Sequence, residues 1–446
     1  MGIGRTGADG DPREPPALVL AGRAWVRGRL QPVEIAIDTT GRIESVGKSR
    51  AGSARHDVGD AVILPAATDI HVHLRDPGGL SAAESIATGT IEAALGGVTL
   101  VGDMPNNEPP VSDTDAIRAK EARVHGRAAV DVLLYAAPTR PAALERLART
   151  AGAFKVYESP TTGIGEGVPA EELPALLERL ASLDLPVSVH AEDPSRFSRV
   201  GVPRDPVSWN AHRPPEAEGA AIDRLLSAPP RLRLHVAHVT TAGVLPRIRT
   251  AGLSFEATPH HLLLSERTGT DARFKVNPPL RSEADRRAMW EAFRRGEIPI
   301  VASDHAPHPT EAKDLPFEKA PSGMPGVETL LPLLLARVRA GELDLAVLMA
   351  AACDRPARWF GQPLGRIAPG HRANLLVVDF KARTRLDPRR LRAPCGWTAF
   401  EGFEAIFPRE HYRDGERIVV DGEYVGRPSG RVVRPEFARG ERTEPE

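Results

Sequence analysis

Runs of apolar residues alternate with amphipathic segments through the middle of the chain. The segments 81–96, 169–183, 217–227 and 283–296 carry apolar residues at helical spacing, with charged residues between them. Near-continuous apolar strands that are each followed by a helix are typical of a parallel sheet covered by helices, and eight such units can close into a barrel. We therefore predict an α/β fold with a (β/α)8 TIM-type barrel over residues 65–362. The eight strand candidates are 62–73, 98–104, 130–136, 152–157, 186–191, 232–239, 253–260 and 298–305.

Short strand-like runs also occur near both ends of the chain. They cover 18–26, 33–38 and 42–47 on one side of the barrel segment, and 372–380 and 416–425 on the other. Such pieces can pair into one sheet, so we predict a small β-domain built from residues 17–64 and 363–426. Residues 1–16 and 427–446 are rich in Gly, Pro, Arg and Glu, and we predict that both are disordered tails.

Composition excludes several functional classes. The 446 residues include 59 acidic and 58 basic side chains, so no overall field attracts nucleic acid or an anionic membrane. No apolar run approaches the roughly 18 residues of a membrane span, and the N-terminus lacks the apolar core of a secretion signal. The two cysteines, Cys353 and Cys395, cannot form a disulfide framework, so we expect a cytoplasmic protein.

Chemically versatile residues recur where the predicted strands end. Because the carboxyl ends of barrel strands form the catalytic face, we expect these side chains to meet at one site. His71 and His73 are two residues apart, so both imidazoles point to the same side of a strand. Imidazoles combined with a carboxylate are suited to zinc or a similar divalent ion. The predicted metal ligands from these strands are His71, His73, His190, His238 and Asp304, and Asn106 follows the second strand.

Lys155 lies in the apolar run AFKVY, one of only seven lysines in the chain. A buried, unpaired ammonium is costly and tends to lose its proton. A neutral amine beside metal ions can add carbon dioxide, and the resulting carbamate can bridge two metals. The alternative is a lysine that reaches the strand end or pairs with an acid.

Arg75 follows the two histidines in HVHLRDPGG, which places a guanidinium beside the predicted metals. Its planar guanidinium suits bidentate binding of a substrate carboxylate, and the alternative is a structural salt bridge with Asp76 or another acid. His305 and His308 flank Asp304 in SDHAPH. We expect His308 to face a ligand, because His305 lies at the strand end where packing is tight.

Ten motifs occur in an order and spacing that together are highly specific. They are TDIHVHLRDPGG, MPNNEPP, AFKVY, VSVHAED, HVAHVTT, EATPHHLLLS, KVNPPLR, SDHAPH, APSGMPGVET and RIAPGHRANLLVVD. Through these motifs the chain resembles the amidohydrolase superfamily and, within it, the longer class I type of dihydroorotase, over roughly residues 18–426. The resemblance implies a β-sandwich for the terminal strands, a homo-oligomer that we expect to be a dimer, and a potential aspartate transcarbamoylase partner.

The resemblance also implies a role for each matched residue. His71 and His73 would bind a first zinc ion, His190 and His238 a second, and carboxylated Lys155 would bridge them. Asp304 would be both a ligand and the catalytic acid and base. The residues implied to hold the substrate are Arg75, Asn106, Asn277, His308, Ser322 and Gly323.

The implied reaction is the reversible, zinc-dependent hydrolysis of dihydroorotate to N-carbamoyl-L-aspartate in pyrimidine biosynthesis. Certain class I members bridge their metals with an aspartate just after the lysine position, but this chain reads VYESP there and favours the lysine. Hydantoinases, dihydropyrimidinases and allantoinases share the metal-binding pattern, so a related cyclic amide hydrolase is one alternative. A non-catalytic dihydroorotase-like subunit is the other.

Overall fold

The computed structural model describes residues 17–48, 54–78, 84–139 and 143–437. The predicted tail 1–16 lies outside the described residues. The first four strands belong to a sheet at one end of the molecule, and β1 pairs with both β2 and β4. These strands are β1 (Leu18–Val26), β2 (Arg29–Ile37), β3 (Ile43–Gly47) and β4 (Arg55–Pro65).

Eight parallel strands form the barrel, as predicted. Every residue of the first five is buried, which explains their near-continuous apolar sequences. The ends of the sheet meet where the backbone N–H of His73 donates to the carbonyl of His305 at 2.7 Å. The strands are β5 (Ala67–Val72), β6 (Val98–Asp103), β7 (Asp131–Ala136), β8 (Ala153–Tyr157), β9 (Val187–His190), β10 (Leu234–Val236), β11 (Ser254–Ala257) and β12 (Ile300–Val301).

Helices occupy most connections between these strands. In α1 and α2, Ser85 and Asp113 accept backbone N–H bonds as N-caps and so fix where each helix begins. The helices are α1 (Ile86–Leu95), α2 (Thr114–Val124), α3 (Leu144–Ala148), α4 (Leu173–Ala181), α5 (Pro206–His212), α6 (Pro215–Leu225), α7 (Leu245–Thr250), α8 (Pro259–Leu263), α9 (Glu283–Arg294), α10 (Thr310–Lys313), α11 (Leu330–Arg339), α12 (Leu345–Met349) and α13 (Arg355–Trp359). Within the described ranges, no helix combines the length and apolarity needed to cross a membrane.

The remaining strands return mainly to the terminal sheet, whose order is β18-β17-β16-β13-β4-β1-β2-β3. Strand β13 pairs antiparallel with β4, and this contact joins the two ends of the chain. The remaining strands are β13 (Leu375–Val378), β14 (Thr384–Arg385), β15 (Glu404–Ala405), β16 (Glu410–Arg413), β17 (Glu416–Val420), β18 (Glu423–Tyr424) and β19 (Val432–Val433).

Four details differ from the sequence predictions. The predicted strand 62–73 is divided between β4 in the terminal sheet and β5 in the barrel. The predicted strand 253–260 ends early, because Thr258 caps α8. Residues of the 386–405 segment pack against barrel residues such as Met324, although we assigned that segment to the small domain. Part of the predicted C-terminal tail is ordered, since β19 pairs parallel with β7.

Candidate active site

A cavity opens at the carboxyl ends of the barrel strands. It collects residues from distant parts of the sequence, as predicted for the catalytic face of a barrel. Eleven of the twelve predicted site residues line it, namely His71, His73, Arg75, Asn106, Lys155, His190, His238, Asn277, Asp304, Ser322 and Gly323. The twelfth, His308, lies beside Arg75 and Ser322.

His71, His73 and Asp304 form the tightest group of potential metal ligands. Oδ1 of Asp304 lies 3.0 Å from Nε2 of His73 and 3.3 Å from Nε2 of His71. All three side chains are buried. Burial favours the neutral imidazole and lowers the pKa of His73 to about 4.

Hydrogen bonds on the outer side of each imidazole determine which nitrogen faces this group. Nδ1 of His71 lies 2.5 Å from Oε1 of Glu256, and a carboxylate can only accept, so this nitrogen carries the proton. Nδ1 of His73 lies 2.5 Å from Oδ1 of Asn106, whose amide nitrogen donates to the carbonyl of Thr162. Both Nε2 atoms therefore direct lone pairs toward Asp304. Three electron-pair donors that converge in this way fit a divalent cation.

His190 and His238 form a second pair across the cavity. Nδ1 of His190 lies 3.0 Å from Nε2 of His238, and Nε2 of His190 is bonded to Glu192 at 2.8 Å. Nδ1 of His238 is buried and has no hydrogen-bond partner in the described structure. Burial lowers the pKa of both imidazoles, which leaves them neutral and able to bind a metal.

Lys155 lies between the two groups, on β8. Its Nζ is 3.5 Å from Nε2 of His71 and 3.3 Å from Oγ of Ser188, and no described carboxylate forms an ion pair with it. Burial lowers the pKa of its amine to about 8, so a neutral fraction is present near neutral pH. Glu158, in the VYESP segment, bonds to Arg224 at 2.8 Å and is not part of the cavity wall.

The guanidinium of Arg75 is buried at the cavity edge. Its Nη1 donates to the carbonyl of Pro307 at 2.7 Å, and its Nη2 lies 3.5 Å from Nε2 of His308. Among the described residues no carboxylate forms a salt bridge with it, which disfavours the alternative of a structural salt bridge, and Asp76 instead lies 3.6 Å from Nε of Arg123. Burial lowers the pKa of Arg75 to about 10, and the group still carries its charge at neutral pH.

The remaining predicted substrate contacts lie around Arg75. Nε2 of His308 is 3.0 Å from the carbonyl of Ser322, so its ring faces this loop. The adjacent Gly323 has a φ of 134°, and a Cβ there would lie 2.5 Å from the carbonyl oxygen of Ala306. Only glycine fits this close approach. Nδ2 of Asn277 lies 3.3 Å from Oγ1 of Thr161, within the cavity wall.

Three site residues adopt left-handed backbone conformations. The φ values are 55° for Arg75, 39° for His238 and 48° for Asp304. Residues with a Cβ rarely adopt this region, and such strain is concentrated at functional sites. The surrounding barrel therefore holds these three side chains in positions that the local chain does not favour.

A second buried cluster, of Glu84, Glu92 and His305, resembles a metal site only in composition. Nδ1 of His305 accepts the backbone N–H groups of Gly326 and Val327. In the neutral imidazole the proton is therefore on Nε2, 3.4 Å from the carboxylate of Glu84. His305 therefore anchors the loop at Gly326 and Val327 by accepting their N–H groups, and its Nδ1 lone pair is already occupied.

Sequence analysis did not identify Glu256, Glu192 or Tyr157. Glu256 lies within a buried strand, and its charge in an apolar run is the same signal that singled out Lys155. Glu192 follows His190 by two residues and also bonds to Arg213 at 2.5 Å. Tyr157 lines the cavity, and its buried hydroxyl has no described partner.

Comparison with known proteins agrees with this architecture. A family model described as Dihydro-orotase-like matches residues 60–195. A dihydroorotase from Halobacterium salinarum is 38% identical, covering 88% of this chain and 94% of that protein. A dihydroorotase from Methanosarcina acetivorans is 34% identical, covering 94% of each chain.

The solved structures that match include hydantoinases and a dihydropyrimidinase. The L-hydantoinase from Arthrobacter aurescens superposes with a TM-score of 0.86 at 26% identity, covering 94% of this chain and 99% of that chain. The dihydropyrimidinase from Brevibacillus agri gives a TM-score of 0.83 at 25% identity, covering 95% of this chain and 99% of that chain. The barrel, its histidine-rich cavity and these matches define an enzyme of the amidohydrolase class. Within that class, the chain belongs to the dihydroorotase family.

Proposed function

We propose that the enzyme interconverts dihydroorotate and N-carbamoyl-L-aspartate, the ring-closing step of pyrimidine biosynthesis. The observation that carries this proposal is Arg75, a buried guanidinium at the cavity edge with no carboxylate partner among the described residues. A buried cation without a counter-ion is costly. The carboxylate of dihydroorotate would supply that counter-ion through charge-assisted hydrogen bonds.

The donor set fits two divalent cations, which we propose are zinc. His71 and His73 would hold one ion and His190 and His238 the other, with Asp304 as a further ligand. Lys155, carboxylated on its neutral amine, would bridge the two. When bound, zinc polarises a carbonyl and lowers the pKa of a water molecule.

Asp304 is proposed to move the proton. Burial by itself raises the pKa of this carboxyl, but the adjacent imidazoles of His71 and His73 outweigh burial and hold the pKa well below its usual range. The carboxylate can therefore accept a proton from the attacking water. It then delivers that proton to the ring nitrogen as the C–N bond breaks, and the same group serves the reverse reaction.

The substrate would be oriented by groups around the cavity mouth. Arg75 would bind the carboxylate, while His308, Asn277 and the Ser322–Gly323 segment complete this side of the site. Both polar ends of the Asn106 amide are already bonded within the protein. We therefore propose that its contact with substrate is secondary to orienting His73.

Two alternatives to dihydroorotase activity predict different results in substrate assays. A hydantoinase-type activity agrees with the matched structures but leaves the unpaired charge of Arg75 without a purpose. A non-catalytic subunit would not need the whole ligand set around one cavity.

The unpaired, buried Cys353 and Cys395 support the proposed cytoplasmic location. A homodimer and a transcarbamoylase partner stay predictions.

The test is kcat/KM for dihydroorotate, dihydrouracil, hydantoin and allantoin, measured with one preparation of known metal content. We expect dihydroorotate to be strongly preferred, because the other three rings lack the carboxylate. Preference for dihydrouracil or hydantoin would overturn the proposal. Inactivity toward all four with a full metal complement would favour the non-catalytic alternative.

A further inference from the structure

The strand β11 places one carboxylate, that of Glu256, behind both groups of candidate ligands. Its Oε1 lies 2.5 Å from Nδ1 of His71 and 3.3 Å from the backbone nitrogen of His238. Its Oε2 lies 3.1 Å from Nε2 of His235. The Glu256 side chain is fully buried, and these three hydrogen bonds engage both of its carboxylate oxygens.

We propose that Glu256 is a positioning residue that holds His71 in its metal-binding tautomer and anchors the backbone that carries His238. This inference rests on the proposed function, because it takes both histidines to be zinc ligands. Glu256 itself does not line the cavity.

The chemistry of the contacts supports this role. A carboxylate accepts hydrogen bonds and donates none, so it requires a proton on Nδ1 of His71 and leaves the Nε2 lone pair free. The same carboxylate accepts from Nε2 of His235, and therefore cannot rotate away from His71 without losing that bond. Carboxylates that orient ligating histidines typically change metal affinity 10–100-fold when they are mutated.

The contact with His238 extends the influence of Glu256 to the second ligand pair. His238 has a left-handed backbone, with a φ of 39°, and its N–H donates to Glu256. A hydrogen bond to a buried anion is stronger than one between neutral groups and can offset part of the strain. Loss of this anion should therefore weaken both zinc sites, and the site containing His71 more than the other.

The test compares the zinc affinity of the full chain in the wild type, Glu256→Gln and Glu218→Gln by competition with a chelator. Glu218 is a matched control because it is also a buried glutamate, but it accepts bonds from Thr240 and Thr241 and contacts no candidate ligand. We expect about 10–100-fold weaker zinc binding in Glu256→Gln, and wild-type affinity in Glu218→Gln. Equal affinity in all three proteins would overturn this inference alone.

A measurement on the unaltered chain covers the case in which Glu256→Gln does not fold. Nitrogen NMR of the metal-free protein with 15N-labelled histidine shows which ring nitrogen of His71 carries the proton. The signals of His71 are assigned by their loss in a His71→Asn variant. A proton on Nδ1 supports the inference, and a proton on Nε2 overturns it. Failure of the wild type to bind zinc would overturn the proposed function, and this inference with it.

Discussion

Nζ of Lys155 lies 3.5 Å from Nε2 of His71, although the two residues belong to different strands of the barrel. Both side chains are buried. No described carboxylate forms an ion pair with Lys155. This relationship places Lys155 beside one of the candidate metal ligands, as the proposed carbamate bridge requires.

Substitution of Lys155 by alanine should therefore abolish most of the activity, and added short-chain carboxylic acids should restore part of it. The small acid can occupy the space of the missing side chain and supply the two anionic oxygens. Steady-state rates with and without acetate or propionate check this, with wild type plus the same acids as the control. Full activity of Lys155→Ala without added acid would exclude the bridging role.

Arg75 should determine which substrate the enzyme accepts. Arg75→Met should cost about 2–5 kcal/mol in kcat/KM for dihydroorotate, because the substrate anion would be left without its partner. Arg75→Lys keeps the positive charge but lacks the planar guanidinium that binds a carboxylate through two hydrogen bonds, so we expect a smaller loss of kcat/KM. Metal content should not change. Unaltered dihydroorotate turnover in Arg75→Met would contradict the proposed function.

The purified enzyme should contain about two zinc equivalents per chain, since the donors form two groups with Lys155 between them. Elemental analysis alongside activity measures this directly. Removal of metal with a chelator should abolish turnover, and added zinc should restore it. An active preparation that contains no divalent metal would rule out the mechanism.

The buried pair of Lys120 and Asp103 should be important for stability. Nζ of Lys120 lies 2.9 Å from Asp103, and both side chains are inaccessible to solvent. Asp103 also accepts the backbone N–H of Leu74, which follows the candidate metal ligand His73. Lys120→Met leaves a buried carboxylate unpaired and should cost about 3–5 kcal/mol of unfolding free energy.

Urea unfolding of the metal-free protein measures that cost. The exposed pair of Lys381 and Asp60 provides the control, and Lys381→Met should leave the unfolding midpoint unchanged. The double variant Asp103→Asn with Lys120→Met should recover part of the loss, because it removes the unpaired charge. Wild-type stability of Lys120→Met would show that the carboxylate finds another partner.

The sequence predicted the barrel and most of the cavity because both leave direct signals. Buried parallel strands read as apolar runs, and residues such as His190 and Asp304 stand out where those runs end. Glu256 escaped notice since it lies inside a strand, where its partners come from β5 and β10. The amide nitrogen of Asn106 donates to the carbonyl of Thr162, which is distant in sequence, so the sequence alone does not show that this amide is already hydrogen-bonded.

Other differences have similarly non-local causes. The apolar pattern of residues 62–73 does not indicate that the chain leaves the terminal sheet after Pro65 and enters the barrel at Ala67, because both parts are buried. The pairing of β19 with β7 uses backbone hydrogen bonds, which are compatible with almost any side chain. Such features depend on tertiary contacts that a local pattern does not record.

The pairing of β4 with β13 has a consequence for synthesis of the protein. A ribosome releases β1 to β4 long before β13, so one edge of β4 has no partner while the whole barrel is being translated. Unpaired strand edges in incomplete chains promote aggregation. Nascent chains that stall before β13 should therefore depend on chaperones, and full-length chains should be released from them once β13 has paired with β4.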